Sequence, residues 1–146
     1  MRFWFTAAVL LLAGCNSSPL PYENGTSPSA SATVEALSPG AVPVRIGEQG
    51  PSFAACGIGG VVLAATIPVR AAPFEEAEDI EALAQGRSLF VCTRSIDQRW
   101  LGVVVPPAAS PDDGCGVTSP VSGRRGYDGD CLSGWVPAAA IRARSR

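Results

Sequence analysis

Four cysteines lie between positions 56 and 131 of a 146-residue chain, and a fifth stands alone at Cys15. This spacing restricts the fold more than any other feature. A domain of about 100 residues has a modest core, and two cross-links between its elements leave it few alternative topologies. The count is odd, so a chain in an oxidising compartment must account for one cysteine separately. Setting Cys15 aside leaves Cys56, Cys92, Cys115 and Cys131, the even set that two disulfides require. These four allow three connectivities. Local loop closure favours Cys115 with Cys131 and Cys56 with Cys92. No Cys-x-x-Cys occurs, so neither a redox pair nor a zinc knuckle is indicated.

The sequence around Cys15 explains the odd count. Arg2 is followed by an apolar run from Phe3 to Ala13, then Gly14 and Cys15. A positive start, an apolar centre and small residues at the end make a secretory signal. The run is shorter than the roughly 20 apolar residues needed to span a bilayer. Leu12-Ala13-Gly14-Cys15 resembles the lipobox of bacterial lipoproteins. That resemblance implies a signal peptide over 1–14, with Cys15 lipidated and first in the mature chain. Several acyl chains give stable membrane anchoring. Asn16 stands where an Asp would mark inner-membrane retention in that family, so the resemblance points to the outer membrane, facing the periplasm.

Composition narrows the chemistry. The chain has no His and no Lys, and its eleven basic residues are all Arg, against thirteen Asp plus Glu, for a net charge of -2. Without His the commonest general base is missing, and Ser-His-Asp or Cys-His arrangements cannot be built. The charge argues against nucleic acid as a partner. Asp112 with Asp113, and Asp128 with Asp130, are paired carboxylates in Gly-containing turns and read as turn residues. Gly57-Ile58-Gly59-Gly60 lacks the Lys and spacing of a phosphate loop and reads as a flexible entry to a strand. The sequence points to no enzyme, metal or cofactor.

Residues 15–50 are rich in Ser, Pro, Ala and Gly and read as a disordered linker, with the folded domain over 51–146. About 35 flexible residues span roughly 30 Å, and more when stretched. Asn16-Ser17-Ser18 and Asn24-Gly25-Thr26 match the glycosylation sequon by chance. From Pro51 on, short apolar runs alternate with turn signals, the pattern of an all-β domain. Strands are expected at Val61–Ala65, Pro68–Arg70, Arg87–Cys92, Arg99–Val105 and around Ser133–Val136. Ile80 and Leu83 stand at helical spacing within an acidic stretch, so 75–83 is expected to be a helical turn or a packed loop.

The ordered series Val69-Arg70-x-x-Pro73, Ile80-x-x-Leu83-x-x-Gly86, Leu89-Phe90-Val91, Trp100-x-x-Val103 and Gly134-Trp135-Val136 resembles the bacterial SH3-like (SH3b) domain over about residues 60–145. The resemblance implies a small, strongly bent SH3-like barrel of about five strands. The chain departs from it by its four cysteines and a long insertion between Val105 and Cys131. Cys115-Gly116-Val117-x-Ser119-Pro120 with Tyr127-x-Gly129-x-Cys131 is similar to a subgroup of such domains in envelope proteins. The function implied is non-catalytic binding of peptidoglycan or an envelope protein. Trp100 and Trp135 are divided between packing and ligand contact. Arg124, Arg125 and Tyr127 have the composition of an interface hot spot, which makes the insertion the expected recognition surface. An alternative is a protein-interaction or hydrolase-inhibitor lipoprotein that uses the 115–131 loop as a plug.

Overall fold

The computed structural model describes residues 40–144. The signal, Cys15, Tyr22 and both sequons lie outside the described residues. Among the described residues there are nine strands: β1 Arg45–Ile46, β2 Ile58–Val62, β3 Thr66–Arg70, β4 Asp79–Ala84, β5 Ser88–Arg94, β6 Trp100–Val105, β7 Arg125–Gly126, β8 Leu132–Pro137 and β9 Ile141–Arg144. A single 3-10 turn, Ala138–Ala140, separates the last two. Seven strands form one sheet in the order β4-β3-β8-β6-β5-β2-β9, and β1 and β7 make a separate two-stranded ribbon. All pairings are antiparallel. The edges β4 and β9 are not bonded to each other, so the sheet is open rather than a closed barrel.

The sheet curls because its inner residues share one core. Val62, Ile67, Val69, Leu83, Leu89, Val91, Leu101, Val103, Val105 and Val136 form one buried cluster drawn from six strands. A flat sheet could not bring side chains from both β2 and β4 into one contact group. The tightest crossing is at Gly134, where an added Cβ would meet the Arg70 carbonyl oxygen at 2.8 Å and the Val69 side chain. There β3 pairs with β8 at Arg70–Trp135.

The opposite face carries a second core of Ile46, Ala55, Cys56, Phe90, Val104, Cys115 and Val117. Alternation along β5 therefore sends Leu89 and Val91 to one core and Phe90 to the other. With both faces covered, β6 is buried at every position. Both disulfides form with the locally closed pairing, Cys56–Cys92 and Cys115–Cys131.

Three expectations are corrected. The acidic stretch is no helical turn, and it is a loop only over 75–78. Residues 79–84 are a strand, with Leu83 buried opposite Ile67. The first long strand runs over Ile58–Val62 and not Val61–Ala65, because Gly60 leaves the room that Leu89 and Ile141 fill. Packing also begins upstream of Pro51. Val44 and Ile46 are buried, and the Val42 N–H donates to Ala71 O at 2.9 Å.

Candidate functional site

The segment between Cys115 and Cys131 is a built structure. Cys115 and Gly116 both have positive φ, 49° and 68°, and turn the chain sharply. Asp113 Oδ1 accepts the Cys115 N–H at 2.8 Å and sets the entry to that turn. Val117 is fully buried in the second core. The backbone then runs beside the N-terminal segment. Ser119 O accepts from the Ala55 N–H at 2.9 Å, and Val117 O accepts from the Cys56 N–H at 3.0 Å. Ala54 bridges Pro120.

Tyr127 closes the loop. Its hydroxyl donates to Cys115 O at 3.1 Å and accepts the Cys131 N–H at 3.2 Å, so one phenol links both ends of the disulfide. Its own N–H donates to Val44 O at 2.8 Å. Burial, reinforced by the negative charges of Asp130, Asp113 and Asp128, pushes the phenol pKa up against the opposing Cys131 N–H bond. The hydroxyl stays protonated and keeps its donor role. Asp113, Cys115 and Cys131 lie close together, but both sulfurs are in a disulfide and offer no thiolate to a metal.

Beyond Tyr127 the ribbon pairs Arg45 with Gly126 and Ile46 with Arg125. Ile46 is buried, whereas Arg45, Arg124 and Arg125 project into solvent. Arg45 Nε lies 3.2 Å and Arg124 Nε 3.6 Å from the two carboxylate oxygens of Glu48. Arg125 pairs closely with Asp128. The ribbon seats against its neighbours at Gly47, whose φ is 77° and where an added Cβ would meet Gly123 O at 2.8 Å. Three guanidinium groups are thus held on one short ribbon by surface ion pairs. Such exposed pairs are weak, and a carboxylate-bearing partner can displace them at small cost.

The two tryptophans are placed elsewhere. Trp100 is 4% exposed and Trp135 is 5% exposed. Trp135 lies over Gly102, and its indole N–H donates to Val42 O at 2.7 Å. It pins the N-terminal segment to the sheet and offers no free ring face. Of the two roles expected for these residues, burial supports packing. Tyr127, Arg124 and Arg125 are brought together; Trp100 and Trp135 do not join them. Sequence reasoning missed Arg45 and Glu48, which fell within the expected linker. The period-two alternation Val42-x-Val44-x-Ile46 was the available signal.

Comparison with family models, with characterised proteins and with solved structures finds no match to this chain.

Proposed function

We propose that this chain is a non-catalytic binding module of the bacterial cell envelope, of SH3-like type, lipid-anchored through Cys15 to the outer membrane and facing the periplasm. Its ligand is peptidoglycan or an envelope protein, taken on the Arg45–Arg124–Arg125 ribbon. The observation that carries this reading is the construction of the 115–131 insertion. A disulfide, a doubly bonded phenol and a buried Val117 fix a segment that gives the large sheet little beyond its outer core. Rigid segments that present exposed Arg lose little entropy on binding. The strand that returns at the C-terminus to pair with β2, and the curl around one core, support the SH3-like reading.

Burial of Trp100 and Trp135 removes the stacking platforms a glycan would use and shifts weight to carboxylate groups, which occur on peptide stems and on proteins alike. The test is co-sedimentation of the full mature chain, as its soluble Cys15→Ser variant, with two preparations of sacculi: one retaining its associated proteins and one stripped of them. Sedimentation with both assigns the peptidoglycan itself. Sedimentation only with the protein-bearing preparation assigns an envelope protein. Failure to sediment with either at low salt overturns the proposal.

A further inference from the structure

The sheet has a free edge whose chemistry differs from that of the Arg ribbon. β4 pairs only with β3, and no strand lies beyond it among the described residues. Its register sets Ala82 opposite Pro68. Antiparallel pairs alternate between those that exchange both hydrogen bonds and those that exchange none. Pro68 has no N–H to give, so Pro68–Ala82 is of the second kind. The N–H and C=O of Ala82 therefore point away from β3, toward the open edge.

A groove of about 570 Å³ runs along that edge, between β4 and the chain at Val105–Ala108. Its apolar walls include Leu83, Val105, Pro106 and Leu132. Glu81 stands opposite the fully buried Val69, on the inward face of the strand, yet is itself exposed at the groove. An inward-pointing charge on an edge strand discourages pairing with unselected apolar strands. Here it also selects by sign: Glu81 is the carboxylate in the groove lining, and the cation there, Arg87, is engaged by the Pro106 carbonyl oxygen. Glu75, Glu76 and Glu78 lie in the turn that leads into β4, and Asp79 and Glu81 lie in the strand itself. Arg99 pairs with Glu75 at 3.6 Å and Arg70 with Asp79 at 3.0 Å. Glu76, Glu78 and Glu81 have no ion pair among the described residues.

We infer that the β4 edge receives an extended, basic peptide segment of a partner protein by strand addition. The segment's backbone bonds Ala82, and its groove-side residues alternate between apolar contact with Leu83 and a cation at Glu81. Backbone pairing supplies affinity and the groove supplies selection, the usual division in strand addition. The surface is distinct from the ribbon and needs no property of it.

The probe, a fluorescent Val-Arg peptide of repeat Val-Ser-Arg-Ser, sets Val and Arg by turns on one face of an extended strand; it is titrated by anisotropy into the full mature chain (Cys15→Ser). Two comparison peptides accompany it: one with Glu in place of Arg, the other N-methylated on the backbone amides of one edge. The Val-Arg peptide is expected to bind in a salt-sensitive manner, and both comparison peptides to bind at least about tenfold more weakly. Ala82→Pro removes an outward N–H that β3 does not use, and Glu81→Arg reverses the selecting charge. Each is expected to weaken the Val-Arg peptide by about tenfold. The N-methylated peptide keeps the test intact should either variant fold poorly. Equal binding of the N-methylated peptide, unchanged binding by both variants, or no binding of the Val-Arg peptide overturns the inference. So does self-association of the chain alone that Ala82→Pro abolishes, because it would assign the edge to a second copy.

Discussion

Tyr127 carries two hydrogen bonds on one oxygen, and both end on the backbone of disulfide cysteines. Tyr127→Phe keeps the ring and removes both bonds. It is expected to cost about 1–3 kcal/mol in urea unfolding, since each neutral bond contributes roughly 1 kcal/mol and two backbone groups lose a partner. The raised phenol pKa gives a pH dependence of definite sign. Below the ordinary tyrosine value of 10.0 the phenol is protonated in both folded and unfolded chains, and its contribution is constant. Above that value the unfolded chain ionises first, so stability falls as pH rises toward the folded pKa. Phenolate absorbance in a Tyr22→Phe background, which leaves Tyr127 as the sole tyrosine, should titrate above the ordinary value. A titration at or below it would contradict the burial argument. Gln98 offers an independent check at this scale. It sits at φ 60° in the β5–β6 turn, a conformation that glycine adopts freely. Gln98→Gly is expected to stabilise the chain by about 1 kcal/mol in the same unfolding assay.

At the scale of elements, the crossing of β3 over β8 depends on Gly134. Gly134→Ala would drive a Cβ against the Arg70 carbonyl, and backbone yields less readily than a side-chain tip. A loss of about 3 kcal/mol is expected from thermal unfolding. The disulfides rank by the loops they close. Replacing Cys115 and Cys131 by Ser opens a separation of 16 residues and should cost about 3 kcal/mol; replacing Cys56 and Cys92 opens 36 and should cost about 4. Both pairings were legible because local closure is the cheaper route. The strands at Ser88–Arg94 and Trp100–Val105 were legible because their apolar runs are long and bounded by turns. β4 was not. Its one fully buried side chain, Leu83, is flanked along the inward face by Glu81, which breaks the period-two pattern and leaves Ile80 and Leu83 looking helical. β1 was hidden by length, since two residues in a Pro- and Gly-rich setting do not register as a strand.

At the largest scale, the described residues form a curled sheet with one core inside and a second core outside, the latter closed by the segment before β2 and the insertion. The all-β class was legible in the sequence. The outer core was not, because it joins residues 46, 55, 56, 90, 104, 115 and 117 across the full length of the domain. The candidate site was legible in part for the same reason. Arg124, Arg125 and Tyr127 share one local stretch, whereas Arg45 and Glu48 reach the ribbon only through long-range pairing. Trp100 and Trp135 were divided between packing and contact because aromatic residues serve both; burial decides for packing in each, with Val42 bonded to the Trp135 indole.

The central claim is that an arginine ribbon, held by a disulfide-framed insertion, is the binding surface. The most direct measurement is the salt-dependent binding of the Arg124→Glu/Arg125→Glu variant to protein-bearing sacculi, beside the parent chain, with thermal unfolding recorded for both. The account predicts unchanged unfolding, because both side chains are exposed, and at least about a tenfold loss of binding at low salt. Binding equal to that of the parent, by a variant that unfolds as the parent does, would contradict it.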